Sequence, residues 1–197
     1  MDTMRTSMRN GESLTQAATR VFGGTVDGVT TPGIMKATKA QASALAATSI
    51  SAVTNEAALA SFQANSDVIK AFVQLSTLDN KTSDICVAYS GQMWDINTLQ
   101  SIPFPPGAPT LPFNGGPPRH FNCRSRLRPV TKSFKELGLD IEEFPVSTRA
   151  SMDGQVPADI SFSDFLSSKP PSFADNLLGP KRANLWRNGD INLTQLV

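Results

Sequence analysis

The sequence predicts an α+β fold, in which N-terminal helices pack on a small antiparallel sheet and short helices follow toward the C-terminus. Residues 34–65 contain neither Gly nor Pro and are rich in Ala, which favours one long helix. Residues 69–77 and 124–130 alternate apolar and polar side chains, the period of a strand. Beyond residue 160, short apolar segments end at Pro or Gly pairs, which is typical of short helices.

A short helix and a linker are predicted before the long helix. Residues 11–23 place their apolar side chains on one face, and Gly23-Gly24 ends the helix. Residues 24–33 contain three glycines and a proline and predict a linker.

The long helix is predicted from Ile34 to about Asn65. Leu45, Ala52 and Leu59 repeat every seven residues there, and small side chains lie beside them. Such a stripe lets another helix approach closely. We expect it to face the core, and a contact with a neighbouring subunit is the alternative.

Two strand-like segments are predicted to pair as a hairpin. The first is residues 69–77, and the second is residues 85–94, interrupted by Ser90-Gly91. Residues 78–83 supply turn-forming side chains between them.

A proline-rich segment follows over residues 100–118. Seven of the fourteen prolines of the chain lie between Pro103 and Pro118. Proline lacks an N–H donor and has a fixed φ, so this segment predicts an extended surface loop, held in place by Phe104, Leu111 and Phe113. A loop of this length is usually functional or poorly ordered.

The C-terminal third is predicted to contain a polar loop and short helices. The loop spans residues 146–157, the helices span residues 161–168, 174–178 and 181–187, and the final segment from Ile191 is a strand or a helix beginning at Asn192. We therefore divide the chain into an N-terminal helical arm with its linker (1–34), a core (35–131) and a C-terminal extension (132–197).

Composition limits the function classes. Eighteen Lys and Arg against seventeen Asp and Glu leave a net charge of +1. This excludes binding of nucleic acid through a large overall positive charge. The sequence shows neither a membrane-spanning apolar segment nor a secretory signal, and two cysteines are too few for a disulfide scaffold. The composition predicts a soluble intracellular protein.

The only histidine lies near one of the two cysteines. His120 and Cys123 are separated by two residues, a spacing that lets both side chains bind one ion from a tight turn. With Cys86 and a carboxylate, for which Asp79 is the candidate, they would form a ligand set suited to structural zinc. Burial without a ligand role and a Cys86–Cys123 disulfide are the alternatives. A further alternative is a zinc- or cysteine-dependent hydrolase or nuclease built on the same three residues, although the chain lacks the phosphate-binding and deaminase motifs.

Arginines cluster around the histidine. Four lie within ten residues that contain no acidic side chain: Arg119, Arg124, Arg126 and Arg128. On a strand the last three would share one face and could contact phosphate or an acidic protein surface. A solvated strand face is the alternative.

The region 79–130 resembles the head-morphogenesis family of tailed bacteriophages, the minor capsid proteins of the phage Mu F-like and SPP1 type. The family pattern has two parts separated by a variable gap, D-x-x-T-x-x-x-C-x-x-x-x-G and P-P-x-H-x-N-C-R-x-x-L-x-P. Twelve residues of this chain match it: Asp79, Thr82, Cys86, Gly91, Pro117, Pro118, His120, Asn122, Cys123, Arg124, Leu127 and Pro129. The resemblance extends into the flanking helical segment and the C-terminal tail. The chain departs from many relatives at Tyr89-Ser90 and at Ser125, where they have further cysteines, so zinc here would need a carboxylate ligand.

The resemblance implies a non-enzymatic virion component. Such proteins bind the portal protein at one vertex, remain inside the capsid in few copies and aid head assembly, DNA packaging or ejection. It therefore implies a location in the virion near the portal, and in the host cytoplasm during assembly. The portal protein is the implied partner, with the major capsid or scaffold protein and the packaged DNA as further candidates and no membrane contact.

Overall fold

A computed structural model describes residues 2–26, 28–33, 38–145 and 147–197. The chain has the predicted α+β fold, with helices and small antiparallel sheets. It divides into two compact units, Met1–Ala57 with Pro117–Arg124, and Ala58–Gly116 with Ser125–Val197. The predicted boundary between residues 34 and 35 lies outside the described residues.

The first unit contains short helices, a hairpin and most of the long helix. Its elements are α1 (Asp2–Arg9), α2 (Leu14–Phe22), β1 (Gly24–Val26), β2 (Val29–Thr31) and α3 (Lys39–Ala64), which continues into the second unit. The short predicted helix is confirmed as α2. Ser13 and Gln16 form a capping box at its N-terminus. The predicted linker instead contains the β1–β2 hairpin. The predicted start of the long helix at Ile34 lies outside the described residues.

An alanine cluster forms the core of the first unit. Its buried members come from α2 and α3: Ala17, Ala18, Val21, Ala42 and Ala46. The predicted stripe is confirmed in part: Leu45 packs against this cluster and Leu59 against a second buried cluster that includes Phe72 and Trp94, although both leucines are only half-buried. The fully buried residues of α3 are instead Ala42, Ala46, Ser51 and Asn55. Ala occurs on every face of this helix, so the apolar period does not single out one side.

A four-stranded antiparallel sheet lies in the second unit. Its strands are β3 (Ile69–Leu75), β4 (Met93–Asp95), β5 (Ser101–Ile102) and β6 (Arg126–Thr131), in the order β5-β4-β3-β6. The predicted pairing of the first two strands is confirmed, with Phe72 opposite Trp94.

The predicted strand over residues 85–94 was half wrong. Its first part is helix α4 (Asp84–Tyr89), and only Met93–Asp95 form a strand. Residues 86–89 are all buried. A short apolar run buried on every side has the same sequence pattern in a helix as in a strand. Asp84 in the first turn favours the helix, since a negative charge there interacts well with the helix dipole.

Side chains from the sheet and the proline-rich loop form an aromatic cluster. The ring centroids of Phe72 and Trp94 lie 5.6 Å apart with the planes tilted by 32°, and Phe113 of the loop packs edge-on against both rings. The Trp94 Nε1–H donates to the carbonyl oxygen of Leu111 at 3.0 Å. Leu111 and Phe113 therefore hold the loop as predicted, whereas Phe104 does not, because 62% of its surface is exposed.

The rest of the second unit is a hairpin followed by short helices. The elements are β7 (Thr148–Ser151), β8 (Gly154–Pro157), α5 (Phe162–Ser167), α6 (Pro171–Leu178), α7 (Pro180–Asn188) and a terminal 3-10 helix (Leu193–Leu196). The three helices are as predicted, and the side chain of Ser161 caps α5. The predicted polar loop was wrong, because Met152 and Asp153 form the turn of the β7–β8 hairpin, in which Ser151 pairs with Gly154. Among the described residues, no helix has the length and hydropathy to cross a membrane.

Candidate metal centre

Cys86 is buried on helix α4, and its main chain is held by a serine pair. The Ser76 hydroxyl donates to the Cys86 carbonyl oxygen at 2.6 Å and lies 3.0 Å from the Ser125 hydroxyl. Both serines are almost completely buried. Because Ser76 follows strand β3 and Ser125 precedes strand β6, the register of the sheet positions the serine pair and, through it, Cys86.

His120 and Cys123 lie at the two ends of one tight turn. The Cys123 N–H donates to the His120 carbonyl oxygen at 3.2 Å. Asn122 has a φ of 58°, a left-handed conformation that Asn tolerates better than most residues. The Asn122 N–H donates to the Thr48 hydroxyl on α3 at 3.1 Å, which anchors the turn.

The histidine ring is oriented by the same turn. Its Nδ1 lies 2.7 Å from the carbonyl oxygen of Phe121. A carbonyl oxygen can only accept a hydrogen bond, so Nδ1 carries a proton, and in the neutral ring Nε2 is then the nitrogen with the lone pair. This is the tautomer that binds a metal through Nε2, and a main-chain carbonyl is a common partner of metal-binding histidines.

Cys86, His120 and Cys123 form a group that can hold a metal ion. One donor atom from each residue lies within 4.8 Å of the others. Both cysteines are buried thiols, and His120 is more exposed. Two thiolates and one imidazole are a donor set that tetrahedral zinc commonly takes.

Asp79 does not belong to this group of three. Its Oδ1 accepts hydrogen bonds from the Lys81 N–H at 2.9 Å and from the Thr82 hydroxyl at 3.1 Å. The Thr82 hydroxyl also contacts the Thr77 carbonyl oxygen at 2.6 Å. These contacts fix the turn between β3 and α4, so Asp79 and Thr82 shape the segment that leads to Cys86.

The predicted arginines do not all lie on one strand. Arg126 and Arg128 belong to β6 and share a face of the sheet, opposite Leu75 and Val73 of β3. The other two, Arg119 and Arg124, lie in the segment Pro117–Arg124 and are part of the first unit. Strand β6 begins at Arg126, two residues later than predicted.

Arg149 is a residue that the sequence did not single out. Its Nη2 donates to the carbonyl oxygen of Ser76, the residue that also holds Cys86. Burial, and then the nearby charge of Arg128, lower the pKa of Arg149. Since Arg149 lies 73 positions beyond Ser76, in a segment predicted to be a loop, no local pattern could have linked the two.

A cavity of about 430 Å³ lies in the second unit, lined by the proline-rich loop, α7 and the C-terminal 3-10 segment. Its walls include Phe104, Pro105, Phe162 and Trp186, and they include none of the three candidate metal ligands. A substrate bound in this cavity would therefore not contact the three candidate metal ligands.

In comparisons with known proteins, no family model matches the chain, and neither a curated protein nor a solved structure does.

Proposed function

We propose that the chain is a minor capsid protein of a tailed bacteriophage, which binds the portal vertex inside the head and aids assembly, DNA packaging or ejection. The observation that carries the proposal is the twelve-residue motif between Asp79 and Pro129. Several of its members have structural roles. Asp79 and Thr82 fix a turn, Gly91 adopts a φ of 85°, and Leu127 is buried in the cluster around Phe72 and Trp94. A motif made of such residues fits an assembly component better than an enzyme.

The location of the chain in the particle tests this proposal. Phage particles assembled with a tagged copy should carry the label at a single vertex and in few copies. A portal ring purified from the same cells should carry the chain with it. Labelling spread evenly over the shell, or particles that lack the chain, would contradict the proposal.

We further propose that Cys86, His120 and Cys123 hold a structural zinc ion. When bound, zinc would be held by two thiolates and one imidazole, and its binding free energy would add to the stability of the folded chain. The serine pair and the Phe121 carbonyl oxygen already orient two of these ligands. The fourth position would be filled by a carboxylate or by water.

Metal analysis of the purified protein tests the zinc proposal. We expect about one zinc per chain, and cobalt in its place should give the strong visible absorption of a tetrahedral thiolate site. Cys86→Ser and Cys123→Ser should abolish stoichiometric binding, whereas Ser90→Ala should retain it. If the purified protein contains no zinc and added zinc leaves its melting temperature unchanged, the structural zinc site is ruled out.

A second candidate, a zinc- or cysteine-dependent hydrolase or nuclease, has one observation in its favour. The group provides three protein ligands, the number that a catalytic zinc has beside its bound water, and His120 is more exposed than the two cysteines. This candidate predicts hydrolysis of a phosphodiester or peptide substrate by the zinc-loaded chain. His120→Ala should then remove activity, and turnover equal to that of the buffer would leave the structural proposal in place.

A further inference from the structure

Arg128 and Arg149 bring two positive charges together in the second unit. Arg128 lies on β6 opposite Val73, on the face of the sheet that points away from Phe72 and Trp94. Arg149 lies on β7 and reaches the carbonyl oxygen of Ser76, just beyond the end of β3. Both arginines are half-buried. The two guanidinium groups are close enough for Arg128 to lower the pKa of Arg149, in addition to the larger effect of burial.

Within the described part of the chain, neither arginine has an acidic partner. Other arginines of the same unit form ion pairs, Arg182 with Asp84 at 2.8 Å and Arg187 with Asp175 at 2.9 Å. The Nε of Arg128, by contrast, is shielded from solvent and donates no hydrogen bond to the described residues. A buried charged donor without an acceptor is unfavourable, and so are two like charges near each other. An external anion would relieve both.

We propose that Arg128 and Arg149 together bind a phosphate group. Guanidinium forks match the oxygen geometry of phosphate, and a tetrahedral oxyanion can accept hydrogen bonds from two forks at once. Free phosphate, or a phosphate of a nucleic-acid backbone, presents the same oxygens to the pair. A carboxylate carries one charge in one plane and would satisfy two separate guanidinium groups less completely. The site does not depend on a role of the chain in a capsid.

Phosphate titration followed by NMR of the arginine Nε–H groups tests the site. At constant ionic strength, inorganic phosphate should shift the Arg128 Nε–H signal and saturate, whereas chloride should not. Arg128→Gln should weaken phosphate binding about tenfold or more, which is the loss expected for a charge-assisted pair. Lys181→Gln is the matched control, because it removes the same charge from an exposed position on α7 and should leave the affinity unchanged.

Arg149 needs a more conservative variant, since it also holds the Ser76 carbonyl oxygen. Arg149→Lys keeps the charge but loses the fork, and we expect it to weaken phosphate binding while the protein remains folded. The Arg128→Gln result stands independently if this variant fails to fold.

Titration arms with other anions identify the source of the phosphate. A short DNA duplex that binds more tightly than inorganic phosphate, with the same loss in Arg128→Gln, would support the site and assign it to a nucleic-acid backbone. Binding of inorganic phosphate alone would support a free-phosphate site. A response to acetate but not to phosphate or DNA would overturn the proposal in favour of an acidic protein partner. An equal response to chloride would overturn it altogether.

Discussion

The alanine cluster of the first unit and the aromatic cluster of the second are both buried, but their side chains differ greatly in size. The alanine cluster has four alanines and one valine at its centre. The aromatic cluster includes Phe72, Tyr89 and Trp94, with Phe113 packed against them. A buried methyl group contributes roughly 0.8 kcal/mol to the free energy of unfolding, and a buried Phe side chain up to about 3 kcal/mol.

We therefore expect the aromatic cluster to be most sensitive to substitutions by smaller side chains, and the alanine cluster to substitutions by larger ones. Removing a ring from the aromatic cluster leaves a large cavity. Alanine side chains have little volume to remove, and larger side chains would overpack the alanine cluster. The aromatic cluster also fixes the proline-rich loop, because the carbonyl oxygen of Leu111 accepts hydrogen bonds from Trp94 and Ser101. We therefore expect loss of a ring from the aromatic cluster to destabilise the sheet and to release the proline-rich loop.

Trp94→Ala is expected to have the largest effect. The substitution removes a completely buried ring that contacts three other aromatic side chains. It should lower the free energy of unfolding by about 3–5 kcal/mol, measured by urea denaturation. Trp94→Phe keeps most of the ring but loses the hydrogen bond to Leu111, so it should cost less and mainly increase amide exchange in the proline-rich loop. An effect of Trp94→Ala below that of Trp94→Phe would contradict the assigned role of the ring.

Ala46→Leu is the opposite test, in the alanine cluster. Ala46 is fully buried between α3 and α2, so three added carbon atoms should overpack the cluster and cost about 1–3 kcal/mol. Amide exchange localised to α2 and α3 measures the effect. Ala44→Leu is the control, because Ala44 is only half-buried and should tolerate the larger side chain. Equal tolerance at both positions would show that the cluster is not closely packed.

The same contrast explains how far the sequence could predict this molecule. Periodic segments with clear end signals, such as α2, β3 and α5, were predicted correctly. The fully buried residues of α3 were predicted only in part, because Ala has no strong preference for either environment and gives a weak pattern. Helix α4 was mistaken for a strand because its apolar residues are buried on all sides.

The candidate metal site was predicted better than the elements around it. Cys86, His120 and Cys123 are of rare residue types in this chain, so chemistry alone selected them. Neither the serine pair nor Arg149 could be selected in this way. Ser and Arg are common, and these residues acquire their roles through strand pairing and contacts between distant segments.

The smallest expected effect is the loss of one ion pair in each unit as the pH falls. Arg20 donates to Glu12 and holds the pKa of that carboxyl at about 2, below its ordinary value of 4.5. Lys70, together with the Ser133 N–H, lowers the pKa of Glu136 to about 2 as well. A carboxyl whose pKa is lower in the folded chain stabilises that state above the unfolded pKa. This contribution is fully present above about pH 4.5 and is lost as the pH falls toward 2.

Glu12→Gln and Glu136→Gln should therefore be less stable than the parent chain at pH 7 and nearly equal to it at pH 2. Urea denaturation at the two pH values measures this difference, and Glu142→Gln, at an exposed position, serves as the control. Amide exchange assigns each loss to its unit, since Glu12 pairs with α2 and Glu136 with β3. A stability difference that persists unchanged at pH 2 would mean that packing, and not the charge, is what the substitution removes.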